Sequence, residues 1–216
     1  MDYMNERQQI MQAVREICAE HLVSGTWGNV SARIAGQPLL LVTPSGMDYS
    51  TMEPEDMVLV DFNQRVVDGQ YKPSIETPMH LKIYQKRPDV KAIIHEHGFY
   101  TTAFAVARKN IPVVTEESAE VIGHEIGVAP YAICGSEMLA DNAVKGLGAD
   151  KKAILLANHG IVALGQTMEE ALKVARIAER TAMITIYARV LGPPHSLQDK
   201  DIFQLNRSFK NYGQKK

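Results

Sequence analysis

The sequence predicts a single-domain α/β sandwich spanning residues 1–216. Two observations carry that prediction. Stretches with apolar residues at helical spacing are interleaved with short, continuous apolar runs of strand length from one end of the chain to the other. No repeat or low-complexity linker divides them, and 216 residues are enough to build a full hydrophobic core.

The elements follow in order. Ile10, Met11, Val14, Ile17, Cys18 and Leu22 recur at helical spacing, which predicts an amphipathic helix over residues 8–22, with Gly25 beyond it as a stop. Residues 29–34 and 39–43 read as strands around the turn Ala35-Gly36-Gln37-Pro38, and residues 57–62 as a third. Thr77-Pro78 is a helix start with proline in the first turn, and the pattern continues to Gln85. Residues 92–97 form a strand. Residues 100–107, 136–147 and 167–191 read as helices, the last opening on a capping box of Thr167 and Glu170. Two apolar strands, 153–157 and 161–164, surround the turn Asn158-His159-Gly160, and residues 199–209 form a final amphipathic stretch before a basic tail.

Composition narrows the function. The apolar fraction of 45% and charged fraction of 22% are those of ordinary globular proteins. With 23 basic and 25 acidic side chains there is no positive surplus to bind a nucleic acid or an anionic membrane, so the expected partner is a small molecule. Residues 1–7 are polar rather than basic-then-apolar, and no apolar run reaches the roughly 18 residues of a membrane span. A cytoplasmic address is expected. Cys18 and Cys134 lie far apart among apolar neighbours and read as reduced structural thiols.

The chemistry concentrates in histidines. His95-Glu96-His97 ends a strand, where residues i and i+2 project from one face, so both imidazoles can reach one ion. Taken alone, the pair also fits two strand-end histidines satisfied by hydrogen bonds. His159 adds a third ring where another strand gives way to a tight turn. Three neutral imidazoles leave a coordination position open, the pattern of a catalytic zinc site, with cobalt or manganese as other imidazole-binding ions. Glu76, just before Thr77-Pro78, is placed to ligate that ion or to act as a base, and its position equally suits a carboxylate favouring a helix N-terminus. His80, four residues on, falls over the same helix face as a potential partner to Glu76. His21, His124 and His195 read as structural or solvated.

Thr26-Trp27-Gly28-Asn29-Val30-Ser31, Thr43-Pro44-Ser45-Gly46, Pro73-Ser74-Ile75-Glu76, Arg87-Pro88-Asp89, His95-Glu96-His97, Ala129-Pro130-Tyr131 and Asn158-His159-Gly160 form an ordered set. In order and spacing the set resembles the class II aldolase family, which includes L-fuculose-1-phosphate aldolase, L-ribulose-5-phosphate 4-epimerase and the adducin head. The resemblance spans nearly the whole chain. It implies a three-layer sandwich with a central, mainly antiparallel sheet, and a homotetramer with active sites between subunits. Zinc is implied at His95, His97 and His159 with Glu76 nearby. A phosphate pocket maps to Thr26, Gly28, Asn29, Ser45, Gly46 and Ser74, where hydroxyls, an amide and glycine-exposed backbone N–H groups can cradle an anion without Lys or Arg. Ile75 departs from the serine common in the family.

As an aldolase, such a protein cleaves a ketose 1-phosphate to dihydroxyacetone phosphate and an aldehyde, with Glu76 as general acid/base. Tyr212 matches a C-terminal tyrosine of the family that closes the site near the aldehyde. Cys134 and Phe209 fall in the nonspecific aldehyde pocket. An epimerase runs related chemistry, but Thr43 and Glu76 stand where that branch has lysine and aspartate. Glu116 or Glu117 stands near the family's interface acid, and a carboxylate there also suits a dehydratase of the methylthioribulose-1-phosphate type. A scaffold of the adducin kind needs no chemistry, and retention of three histidines and Glu76 speaks against it.

Overall fold

A computed structural model describes residues 3–209. Along the chain run α1 (Met4–Ala19), β1 (Asn29–Arg33), β2 (Leu39–Val42), β3 (Val58–Asp61), β4 (Val66–Asp68), α2 (Thr77–Lys86), β5 (Ala92–Glu96) and α3 (Phe99–Ala107). They are followed by α4 (Glu116–Val121), β6 (Val128–Ala129), α5 (Glu137–Leu147), β7 (Ala153–Leu156), β8 (Gly160–Gly165), α6 (Met168–Leu191) and α7 (Asp199–Phe209). The strands form one sheet in the order β4-β3-β2-β1-β5-β8-β7-β6. Every neighbouring pair is antiparallel except β6 and β7. The expected sandwich with a mainly antiparallel centre is what folds.

Alternation along the strands builds two cores. Leu41, Leu59, Ile94, Leu155, Ile161 and Ala163 face one way, against Ile10, Val14 and Ile17 of α1 and Ala171, Ala175 and Ala178 of α6. Leu40, Val60, Ile93, Ile154, Val162 and Leu164 face the other way, against Met79 and Ile83 of α2 and Leu139 and Ala143 of α5. Strands buried on both faces read as unbroken apolar runs, which is why most were visible in the sequence. Among the described residues no helix is long and apolar enough to cross a membrane.

Three elements escaped the sequence pattern. β4 has three residues, all exposed, β6 has two, and α4 is a six-residue helix capped by Thr115 and Ser118. Helix boundaries also moved. α1 ends well before Gly25, because His21 takes a left-handed conformation (φ 57°) and closes a Schellman motif. Its two bonds run from Leu22 N–H to the Ile17 carbonyl (2.9 Å) and from His21 N–H to the Cys18 carbonyl (3.1 Å). At α6 only half the expected capping box forms. Thr167 accepts from the Glu170 N–H (3.1 Å), but the Glu170 carboxylate reaches back to the Gln166 N–H (2.8 Å) rather than to Thr167.

Candidate metal centre and active site

The site forms where β1, β5 and the β7–β8 turn meet the start of α2. His95 shares the face of Ile93 by strand alternation, so its ring points toward α2, while Glu96 points to the other core. His97 lies one residue beyond the strand, its N–H bonded to the Leu22 carbonyl (2.8 Å). The β7–β8 turn is pressed against the end of β5. A Cβ at Gly160 would stand 2.4 Å from the Glu96 carbonyl and 2.7 Å from the His97 ring, so a glycine is required beside His159. Asn158 supports the turn in a left-handed conformation (φ 57°), one that asparagine tolerates.

These constraints bring the three imidazoles together. Ring centroids are 4.7 to 4.9 Å apart pairwise, and one ring nitrogen from each lies within 4.8 Å of the others. His95 Nδ1 is 2.9 Å from the Ile161 carbonyl, an acceptor, so Nδ1 carries the proton. A neutral His95 therefore presents a lone pair at Nε2. That atom faces His97 Nε2 at 2.9 Å and Glu76 Oε2 at 3.1 Å.

Glu76 occupies the N-cap position of α2 without capping it. Its Oε2 accepts instead from Asn29 Nδ2 (2.9 Å), and its Oε1 is 3.7 Å from His159 Nε2 with no hydrogen-bond partner among the described residues. Burial alone would raise its pKa, but His95, His159 and the Asn29 amide hold the carboxyl well below the usual range. Burial opposes charge on His95, yet the Glu76 carboxylate and the Ile161 carbonyl raise that imidazole above its ordinary pKa. Burial and the other imidazoles lower His97 to about 3 and, with His95, lower His159 to about 4. A ring of lone pairs around one carboxylate takes a positive charge at its centre. A proton on His95 supplies it in the metal-free protein, and a divalent cation suits the same donors.

The expected site residues other than Tyr212 fall within the described residues. Asn29 pairs with His95 across β1 and β5. Ser45 and Gly46 follow a bridge between Pro44 and Pro73, Ser74 N–H bonds to the Thr43 carbonyl (3.1 Å), and Ser74 Oγ accepts from the Glu76 N–H (3.2 Å). Thr26 and Gly28 precede Asn29 in the chain, and of the residues expected to bind phosphate Asn29 and Ser74 touch Glu76. The Asn29 amide is committed to Glu76. Glu116 and Glu117 form the exposed first turn of α4 and make no ion pair with the histidine cluster among the described residues. Tyr212 lies outside the described residues.

Two expectations are corrected. His80 does not pair with Glu76: it is fully buried, with Nδ1 2.7 Å from Ser31 Oγ. Cys134 is not a buried structural thiol. It is exposed, and its Sγ lies within 4.8 Å of a Glu76 oxygen and a His159 nitrogen. The partial burial of its sulfur and the adjacent Glu76 carboxylate push this thiol up to about 12. No local motif marks it, because the loop that carries it reaches the site only through tertiary folding.

Residues 8–186 match the profile of the class II aldolase and adducin N-terminal domain. The chain belongs to that family. It is 35% identical to 5-deoxy-D-ribulose 1-phosphate aldolase of Bacillus thuringiensis serovar kurstaki over 97% of both chains. It is 32% identical to L-fuculose phosphate aldolase of Escherichia coli (strain K12), over 96% of this chain and 97% of that one. A solved L-fuculose 1-phosphate aldolase superposes with a TM-score of 0.91 at 36% identity, covering 95% of this chain and 96% of the other. The class II aldolase fold and the aldehyde-lyase class expected from the sequence stand on these matches.

Burial lowers His80 to about 3, with His95 adding to the effect. Below an unfolded-state pKa of about 6.5 the unfolded chain takes a proton at this position and the folded chain does not. Protonation then favours unfolding, at up to about 1.4 kcal/mol per pH unit for this group, with His97 and His159 acting in the same direction and the raised His95 alone among the cluster imidazoles opposing them. Chemical denaturation of chelator-treated protein is expected to show lower stability near pH 5 than near pH 7. Equal stabilities would mean that His80, His97 and His159 do not remain neutral.

Proposed function

We propose that this protein is a divalent-metal-dependent aldolase that cleaves a ketose 1-phosphate of the L-fuculose-1-phosphate kind to dihydroxyacetone phosphate and an aldehyde. The observation that carries the reading is the convergence of His95, His97 and His159 on the buried carboxylate of Glu76. His95, His97 and His159 hold the ion, zinc first among the ions that three imidazoles suit and manganese or cobalt after it. When bound, the ion acts as a Lewis acid toward the carbonyl and neighbouring hydroxyl of the sugar.

The chain's own residues divide the remaining work. Thr26, Gly28, Ser45, Gly46 and Ser74 cradle the phosphate with hydroxyls and backbone N–H groups, and Asn29 joins that cradle to Glu76. When the carbon–carbon bond opens, the dihydroxyacetone phosphate half keeps the electron pair and requires a proton at that carbon. Glu76, ionised at rest, takes up the proton released by the hydroxyl that becomes the aldehyde and returns it to that carbon through Oε1, the oxygen left without a hydrogen-bond partner among the described residues. Tyr212 and a carboxylate from Glu116 or Glu117 serve the aldehyde side, the carboxylate coming from a neighbouring subunit of a homotetramer. Exposed Phe99, Val190 and Leu191 are apolar surface of the kind that assembly covers. Sedimentation of the active protein is expected to give a tetramer, and an active monomer would remove the shared-site role of Glu116 and Glu117.

His97→Ala is expected to yield a folded protein that has lost both its stoichiometric divalent ion and its activity. Retention of one ion per chain, measured by metal analysis, would overturn the ligand assignment. Glu76→Gln keeps the shape of the side chain and removes its exchangeable proton. Metal should remain bound while kcat falls by about 10² to 10⁴, the contribution of a positioned acid or base. Exchange of a dihydroxyacetone phosphate proton with solvent isolates this step from the aldehyde and should fall with it. Exchange at the wild-type rate would leave Glu76 a structural or metal-binding residue only.

A further inference from the structure

We propose that Tyr49 is a positioning residue of the phosphate cradle: its hydroxyl, bonded to the Gly28 carbonyl, holds the turn at residues 26–29 and the turn at Ser45 and Gly46 in one fixed arrangement. The inference rests on the sugar-phosphate reading and deepens it, since that reading names the groups that face the phosphate and not what holds them together.

Three separate stretches of chain supply the cradle, residues 26–29, 43–46 and 73–76. Backbone bonds join the second to the third and to β1. Thr43 N–H bonds to the Val30 carbonyl (3.0 Å), Ser74 N–H to the Thr43 carbonyl (3.1 Å) and Ser45 N–H to the Lys72 carbonyl (2.9 Å). The Thr43 hydroxyl adds a side-chain bond by accepting from the Val30 N–H (3.2 Å). The turn ahead of β1 is fastened differently. Tyr49, three residues beyond Gly46, donates its hydroxyl to the Gly28 carbonyl at 2.6 Å.

Both ends of this bond are constrained. The Tyr49 ring is 7% exposed and lies in the core shared with α1 and α6, so the hydroxyl is its one polar tip. Burial pushes the phenol well above its ordinary pKa, and the group stays a donor. Its loop is turned by Asp48, whose Oδ1 accepts from the Ser50 N–H (2.9 Å) and the Ser50 hydroxyl (2.8 Å). At the other end, Gly28 has a φ of 85°, and a Cβ there would stand 2.8 Å from the His95 carbonyl oxygen and from the Val23 side chain. Only glycine fits this turn. The phenol thus fixes a turn that already lies against the backbone of the strand bearing His95.

The chemistry of the cradle makes that fixing matter. A lysine or arginine attracts phosphate over a range of positions, whereas hydroxyls and backbone N–H groups hold it only when several converge at hydrogen-bond distance. A cradle of neutral donors therefore depends on being arranged before the ligand arrives, and freeing one stretch costs affinity. The Tyr49 hydroxyl bonds to Gly28 and not to a histidine of the cluster, so its loss should fall on phosphate binding and leave the ion in place.

Tyr49→Phe removes the hydroxyl, keeps the ring in the core and tests the role in metal-loaded protein. Calorimetric titration with dihydroxyacetone phosphate and with inorganic phosphate is expected to show both bound about 3- to 10-fold more weakly than by wild type, the effect of one lost hydrogen bond. KM should rise by a similar factor, with kcat little changed and one ion per chain retained. Wild-type affinity in Tyr49→Phe, or a loss that falls on kcat or on the ion instead, overturns the positioning role and leaves the sugar-phosphate reading standing. Wild-type protein that binds neither probe overturns both. Should Tyr49→Phe not fold, Asp48→Ala releases the same loop from the exposed surface: weaker binding of both probes supports the role, and wild-type affinity overturns it.

Discussion

The contact between His95 and Glu76 joins the sheet to the α2 layer, and the other polar contacts of the site are arranged around it. Adjacent strands supply the two groups that hold the carboxylate: the imidazole of His95 from β5 and the amide of Asn29, its register partner on β1. Strand alternation continues the theme along β1. Ser31 and Arg33 project from the same face as Asn29, while Val30 and Ala32 enter the opposite core. Ser31 Oγ lies 2.7 Å from His80 Nδ1 and 2.8 Å from the Tyr84 hydroxyl, both on α2, and Arg33 donates to the Tyr84 carbonyl and stacks over its ring at 5.3 Å. A polar row with a period of two thus clamps one helix to one strand. The first rung of that clamp is the functional carboxylate.

This arrangement explains what could be read from the sequence and what could not. The long helices and the doubly buried strands carry their pattern in consecutive residues, and so do His95 and His97, whose convergence follows from strand phase alone. His159 required a second strand and a turn, both marked by local residues. The misses are tertiary. β4 is exposed on every residue, so no apolar alternation announces it, and β6 is too short to have a period. Helical spacing placed His80 over Glu76. A fully buried imidazole needs a hydrogen-bond partner within the core, however, and Ser31 provides one from a strand that spacing along the helix does not register. Cys134 was placed at the aldehyde pocket only by the family resemblance, because its position depends on a loop crossing Ile75, a contact between distant parts of the chain.

Glu76 and Glu96 show how the two faces of one sheet assign opposite states to the same functional group. Both carboxylates are buried, and burial pushes both toward the neutral acid. On the α2 face, His95, His159 and the Asn29 amide overcome that cost and keep Glu76 ionised. On the opposite face, burial raises Glu96 well above its ordinary pKa. The Gly98 N–H bond only partly offsets this, and the neighbouring carboxylate of Glu179 raises it further. Glu179 itself accepts from the Tyr100 and Thr101 N–H groups at the start of α3 (3.0 and 2.8 Å). Burial and Glu179 thus push Glu96 toward the neutral acid, and with Glu179 it fixes the turn directly after His97. The strand that delivers the two histidines therefore carries a carboxyl group pushed toward the neutral acid on one side and faces an ionised carboxylate on the other, where Glu76 and the imidazole lone pairs meet.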